Sequence, residues 1–146
     1  MSIPLGDVPI PERVLALARG AALTPVWENG IGGLTFRTDD GRFVKWGPRH
    51  LEASMAAEAE RMAWASTWIT VPRVLAQGED RTHEWLVTAA LPGRSAVDPH
   101  WIARPEIAVR AVGSALRALH DALPPERCPW NWGVTAISGQ IGRAHV

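Results

Sequence analysis

The sequence predicts an α+β fold: a five-stranded antiparallel sheet, a helix inserted after its third strand, and the start of a helical part. Three observations carry this. Two tight-turn signals, Asn29-Gly30 and Asp39-Asp40-Gly41, separate short strand-like runs and make a meander. A stretch rich in alanine, glutamate and methionine over residues 51–67 follows, and all three are helix formers. Residues 105–121 then place Ala108, Val112, Ala115, Leu116 and Leu119 on one stripe of helical period.

The first element is a short amphipathic helix over residues 11–19, opened by Pro11-Glu12 and carrying Val14, Leu15, Leu17 and Ala18. Strands at 24–28 and 33–38 flank Asn29-Gly30, and residues 42–46 form the next antiparallel strand. In the helix over 51–67, Met55, Ala59, Met62 and Ser66 share a face. Val71-Pro72-Arg73-Val74-Leu75-Ala76 reads as an edge strand, where a residue without an N–H is tolerated. Gly78-Glu79-Asp80 is a turn, and residues 84–89 read as a buried strand, broken by Leu91-Pro92-Gly93. Pro124-Pro125 stops the last helix, and the segment from Thr135 to Val146 has no period and no acidic residue.

Composition excludes several function classes. A chain of 146 residues is long enough for one domain with a real core. Lys plus Arg equals Asp plus Glu at 15 each, so no net charge draws it to nucleic acid or an anionic membrane. No stretch approaches the roughly 20 apolar residues of a membrane span, and Met1-Ser2-Ile3-Pro4-Leu5 does not open a signal peptide. A single cysteine, Cys128, excludes an internal disulfide and any multi-cysteine metal site, fits a cytoplasmic location, and is read as a structural thiol. His50, His83, His100 and His145 lack metal-ligand spacing. His120 and Asp121 are adjacent on a helix, so their side chains diverge by about 100° and they are expected to cap the helix rather than act as a dyad.

The chemistry-bearing residues centre on Lys45, in the apolar strand Arg42-Phe43-Val44-Lys45-Trp46. A Gly-rich hairpin precedes it and a helix carrying Glu58 follows, the order in which a kinase N-terminal lobe holds the phosphates of ATP. Glu58 and Glu60 are two apart on the helix, so only one can face Lys45, and the spacing alone leaves both open. Gly30, Gly32 and Gly33 would let backbone amides approach a phosphate, although an ordinary flexible hairpin reads the same way. Phe43 shares the face of Lys45 and could stack on adenine or simply pack in the core. Thr88, Ala89 and Ala90 could offer backbone groups to adenine or form an ordinary core strand.

On these residues the chain resembles the aminoglycoside phosphotransferases, closest to the 3′-phosphotransferases of kanamycin and neomycin resistance. The similar segments are Gly32-Gly33-Leu34-Thr35-Phe36-Arg37, Gly41-Arg42-Phe43-Val44-Lys45-Trp46 and Ala57-Glu58-Ala59-Glu60-Arg61-Met62-Ala63-Trp64. Val71-Pro72-Arg73-Val74-Leu75, Trp85-Leu86-Val87-Thr88, Leu91-Pro92-Gly93-Arg94-Ser95-Ala96, Leu116-Arg117-Ala118-Leu119-His120 and Arg127-Cys128-Pro129-Trp130 continue it, over roughly residues 20–134. The resemblance implies a protein-kinase-like N-terminal lobe with hinge over 1–92, a linker and first helices of a C-terminal lobe over 93–134, and a non-family tail over 135–146. It implies ATP and Mg²⁺ as cofactors and a cationic aminoglycoside antibiotic as substrate. By position, Lys45 would contact the phosphates, Glu58 would pair with Lys45 because the resemblance is best over Glu58 to Trp64, with Glu60 as the fallback, Phe43 would stack on adenine, and Thr88 to Ala90 would be the hinge.

The departure from the family pattern is large. Its catalytic loop, His-Gly-Asp with a later Asn, and its metal-binding aspartate have no counterpart here, where the last aspartate is Asp121. The expectation is a C-terminally truncated member that is inactive alone. Two alternatives are a nucleotide- or partner-binding fragment without catalysis and another small-molecule kinase of the same fold.

Overall fold

The computed structural model describes residues 4, 7–49, 54–96 and 98–130. Its centre is one antiparallel five-stranded sheet built from β1 (Leu23–Glu28), β2 (Leu34–Thr38), β3 (Arg42–Pro48), β4 (Val74–Glu79) and β5 (His83–Ala89), in the order β1-β2-β3-β5-β4. The expected α+β sheet is therefore present, with β4 at an edge. β3 and β5 are the inner strands next to it, in register from Arg42 opposite Ala89 to Pro48 opposite His83.

Alternation along the strands gives the sheet two different faces. One face carries Phe36, Val44 and Val87, which close around Val14 of helix α1 (Glu12–Ala18) as the buried core. The other carries Phe43, Lys45 and Gly47 of β3 beside Thr88, Leu86 and Glu84 of β5. Helix α2 (Met55–Ala65) lies over this second face, against β4 and β5.

The turn between β2 and β3 is tied to α1. Arg42 Nη1 and Nη2 donate to the carbonyls of Leu17 and Ala18 at 3.0 and 2.7 Å, where the helix has run out of intrahelical donors. The same guanidinium and the Thr38 hydroxyl bond Asp40 and hold its carboxyl down at about 2, against an ordinary 3.8. A lowered folded-state pKa stabilises fully above the unfolded value and is lost as pH falls through the folded one. The stability of the fold is therefore expected to drop from about pH 4 towards pH 2, and Asp40→Asn to flatten that drop. Thermal melts across this range check it; an unchanged slope in the variant contradicts it.

The edge strand differs from its predicted span of 71–76. It begins at Val74, two residues beyond Pro72, and continues to Glu79. Gly78 belongs to the strand because the Trp85 indole fills the space where a Cβ would stand, 2.6 Å from Cζ2. The turn moves on to Asp80, whose Oδ1 accepts from the N–H groups of Thr82 and His83, both at 2.9 Å. The hydrogen bonds to Thr82 and His83 also lower the Asp80 pKa.

The helix predicted over 51–67 is Met55–Ala65, with Ser54 as N-cap; residues 51–53 lie outside the described residues. A short helix α3 (Pro99–Ile102) was not anticipated, although Asp98-Pro99 is a cap followed by a first-turn proline. Helix α4 (Pro105–Ala122) matches its predicted span, but none of its residues is buried. The tail over 135–146 lies outside the described residues.

Candidate functional site

The inward alternation of β3 presents Lys45 on the α2 face, flanked by Thr35 of β2 and Leu86 of β5. Its Nζ stands 2.5 Å from Glu58 Oε1. Glu58 occupies the first turn of α2, which starts where it does because the Ser54 hydroxyl accepts from the Ala57 N–H and the Ser54 carbonyl from the Glu58 N–H. Glu60 is exposed and lines the groove between α2 and β4, away from Lys45. The structure therefore selects Glu58 over Glu60. The side chains of Lys45 and Glu58 are 38% and 42% exposed. A pair this open adds only about 0–1 kcal/mol to folding. Its consequence is geometric: an ammonium is held in one direction at an accessible surface.

The Gly-rich turn folds on itself around Asn29. Asn29 Oδ1 accepts from the N–H groups of Ile31 and Gly33 at 3.1 and 2.7 Å, and the Asn29 N–H donates to the Gly33 carbonyl at 2.9 Å. Gly32 has φ +81°, a conformation few side chains adopt. A Cβ on Gly33 would fall 2.5 Å from Asn29 Nδ2. Gly30 has open space around it.

Two residues that sequence reasoning passed over belong to this face. A Cβ on Gly47 would lie 2.7 Å from Gly33 Cα, so the Gly-rich turn rests its backbone on β3 two residues beyond Lys45. Glu84, opposite Gly47, is 4% exposed, and its Oε2 accepts from the Met55 N–H at 2.9 Å. The signal for Glu84 was a carboxylate inside a strand read as buried; Gly47 offered none.

Phe43 is half-buried on the Lys45 face, opposite Thr88. The N–H of Ala89 donates to the Arg73 carbonyl and that of Ala90 to the Gly41 carbonyl, both at 2.9 Å. The Ala89 and Ala90 donors of the predicted hinge are thus engaged within the protein. Beyond α4, the Cys-Pro-Trp segment packs on α2: Trp64 Nε1 donates to the Arg127 carbonyl at 3.3 Å, and the Trp64 and Trp130 rings meet edge to face at 5.9 Å. Cys128 is exposed. Asp121 pairs with Arg117 along α4. Among the described residues, no three His, Cys, Asp or Glu converge on a point where a metal ion could sit.

The model of the APH phosphotransferase enzyme family matches residues 27–133, which include the Gly-rich turn, Lys45, Glu58 and α4. The chain belongs to that family. This phosphotransferase-family chain is 41% identical over 92 residues to the aminoglycoside 3′-phosphotransferase of Streptomyces fradiae and 38% identical over 93 residues to that of Streptomyces ribosidificus. The matches take in 60% and 61% of the chain but 34% and 35% of those relatives, so it spans about a third of their length. The crystal structure of an aminoglycoside-3′-phosphotransferase of type VIII superposes with a TM-score of 0.60 at 37% identity, covering 86% of this chain and 47% of that one. The five-stranded sheet with its helix is thus the N-terminal lobe of a kinase-like fold.

Proposed function

We propose that the chain supplies the ATP-binding part of an ATP-dependent aminoglycoside phosphotransferase acting in the cytoplasm, and that these 146 residues transfer no phosphoryl group by themselves. The observation that carries the reading is the Lys45–Glu58 pair, 2.5 Å apart beside a glycine turn seated on the same strand. Lys45 offers charge to the nucleotide phosphates, and Glu58 fixes its direction. Phe43 packs on the adenine. The turn through Gly30, Gly32 and Gly33 covers the phosphates. The segment Thr88–Ala90 meets the adenine edge through its carbonyls, because the Ala89 and Ala90 N–H groups are already donated.

The described donors do not build a magnesium site, so no step is assigned to the metal here. Phosphoryl transfer rests on positioning and charge neutralisation, and an ion pair plus a turn perform only the nucleotide half of that work. The substrate is an aminoglycoside hydroxyl, by analogy with the Streptomyces relatives. Residues 1–92 form the lobe with its hinge, and 93–134 the link to the catalytic half.

The test is calorimetric titration of the full chain with ATP, alone and with Mg²⁺, beside an assay of labelled phosphate transfer to a panel of aminoglycosides. Saturable ATP binding without transfer is expected. Transfer by this chain overturns the inactivity, and no binding overturns the site. The second reading, a nucleotide-holding module whose role ends at binding, is favoured by Asp121, which is engaged with Arg117 rather than aimed at Lys45. A transfer-active partner polypeptide that restores phosphorylation excludes it.

A further inference from the structure

We propose that Glu84 is a positioning residue for the Lys45–Glu58 pair, acting by fixing the first turn of α2 to the sheet; this rests on reading that pair as the phosphate site. Glutamates are almost never fully buried unless partnered, yet Glu84 is 4% exposed in an inner strand. Its Oε2 takes the Met55 N–H, one of the donors that a helix start leaves without an intrahelical acceptor. A carboxylate there also meets the positive end of the helix.

The placement links this bond to the pair. Glu58 follows Met55 by three residues, on the same side of the same turn. On the sheet, Glu84 stands opposite Gly47 and Leu86 opposite Lys45, so Glu84 and Lys45 share a face on neighbouring strands. The lysine is thus set by β3 and the glutamate that aims it is set by β5, through one hydrogen bond. Glu79, opposite Glu84 on β4, turns to Arg49 at 3.3 Å and leaves the Met55 N–H to Glu84. Ser54 holds the rest of the first turn but is local to the helix; Glu84 ties the backbone of that turn to the sheet.

Lys45 is the chain's one lysine, all its other basic side chains of that count being arginine. Protein labelled with ¹⁵N-lysine therefore yields one side-chain ammonium signal, which reports directly on the pair. In Glu84→Ala, that signal is expected to move towards its position in Glu58→Ala. Glu84→Gln keeps an acceptor oxygen for the Met55 N–H and is expected to hold the signal near wild type. ATP binding is expected to weaken about tenfold in Glu84→Ala, since a small misplacement of a positioned group is costly, with no further loss when Glu84→Ala is added to Glu58→Ala.

An unmoved ammonium signal in folded Glu84→Ala, or losses that multiply in the double variant, overturns the proposal and leaves Glu84 a purely structural cap. If Glu84→Ala does not fold, Glu84→Asp, shorter by one methylene, carries the same test: a displaced signal supports the proposal and a wild-type signal overturns it. If wild type binds no ATP, the phosphate-site reading fails, while the ammonium signal still decides whether Glu84 sets the pair.

Discussion

Replacing Lys45 by alanine is expected to lower ATP affinity roughly 10- to 100-fold while leaving the fold nearly as stable. Hydrogen bonds to charged groups are worth about 1.5–3 kcal/mol, and each 1.4 kcal/mol or so is a factor of about ten in binding. The same substitution removes an ion pair whose partners are 38% and 42% exposed, which is worth about 0–1 kcal/mol to folding. The two effects are therefore separable, by calorimetric titration with ATP and by thermal melts of the same samples. Lys45→Arg is not expected to rescue, because a planar guanidinium fork does not reproduce a compact ammonium 2.5 Å from Glu58 Oε1. A large loss of stability with unchanged ATP affinity would make Lys45 a structural residue.

Gly47→Ala is expected to be the more damaging change to the glycine turn, although Gly47 lies outside it. The added methyl would stand 2.7 Å from Gly33 Cα, and a backbone atom cannot rotate out of the way as a side chain can. Overpacking of this kind costs about 1–3 kcal/mol, or roughly 4–12 °C in Tm for a domain of this size. Lifting the turn off β3 also moves it away from Lys45, so ATP affinity should fall with stability. Gly30→Ala is the control: open space surrounds that position, and a change well below that of Gly47→Ala is expected. Melts and titrations of the two variants check the ordering. Equal effects would mean that the Gly33–Gly47 contact does not seat the turn.

Much of the fold was legible because its signals are local. Asp39-Asp40-Gly41 turns where it was expected, with Gly41 at φ +83°, and alternation along the strand put Phe43 on the face of Lys45, leaving Val44 between them to the core. Helical period found α4 but said nothing of burial, since a stripe such as Val112 and Leu116 records what the sequence can pack against, not what is present to cover it. The edge strand was displaced because Pro72 and Gly78 are ambiguous in isolation; Gly78 is explained only by Trp85, a contact across strands. Of the site, facing directions on a helix said only that one of Glu58 and Glu60 could meet Lys45; the preference for Glu58 came from the family resemblance over Glu58 to Trp64. Glu84 and Gly47 required the register of β3 against β5, which no local pattern encodes.

The most direct test of the central claim uses Lys45 as the chain's one lysine. The full chain is treated with an amine-acylating reagent at increasing ATP, and modification of Lys45 is followed by peptide mass spectrometry against the N-terminal amine as internal reference. If Lys45 receives the nucleotide phosphates, its acylation falls saturably with ATP while that of the N-terminus does not change. Acylation of Lys45 that continues at the same rate at saturating ATP would contradict the assignment of this face as the nucleotide site.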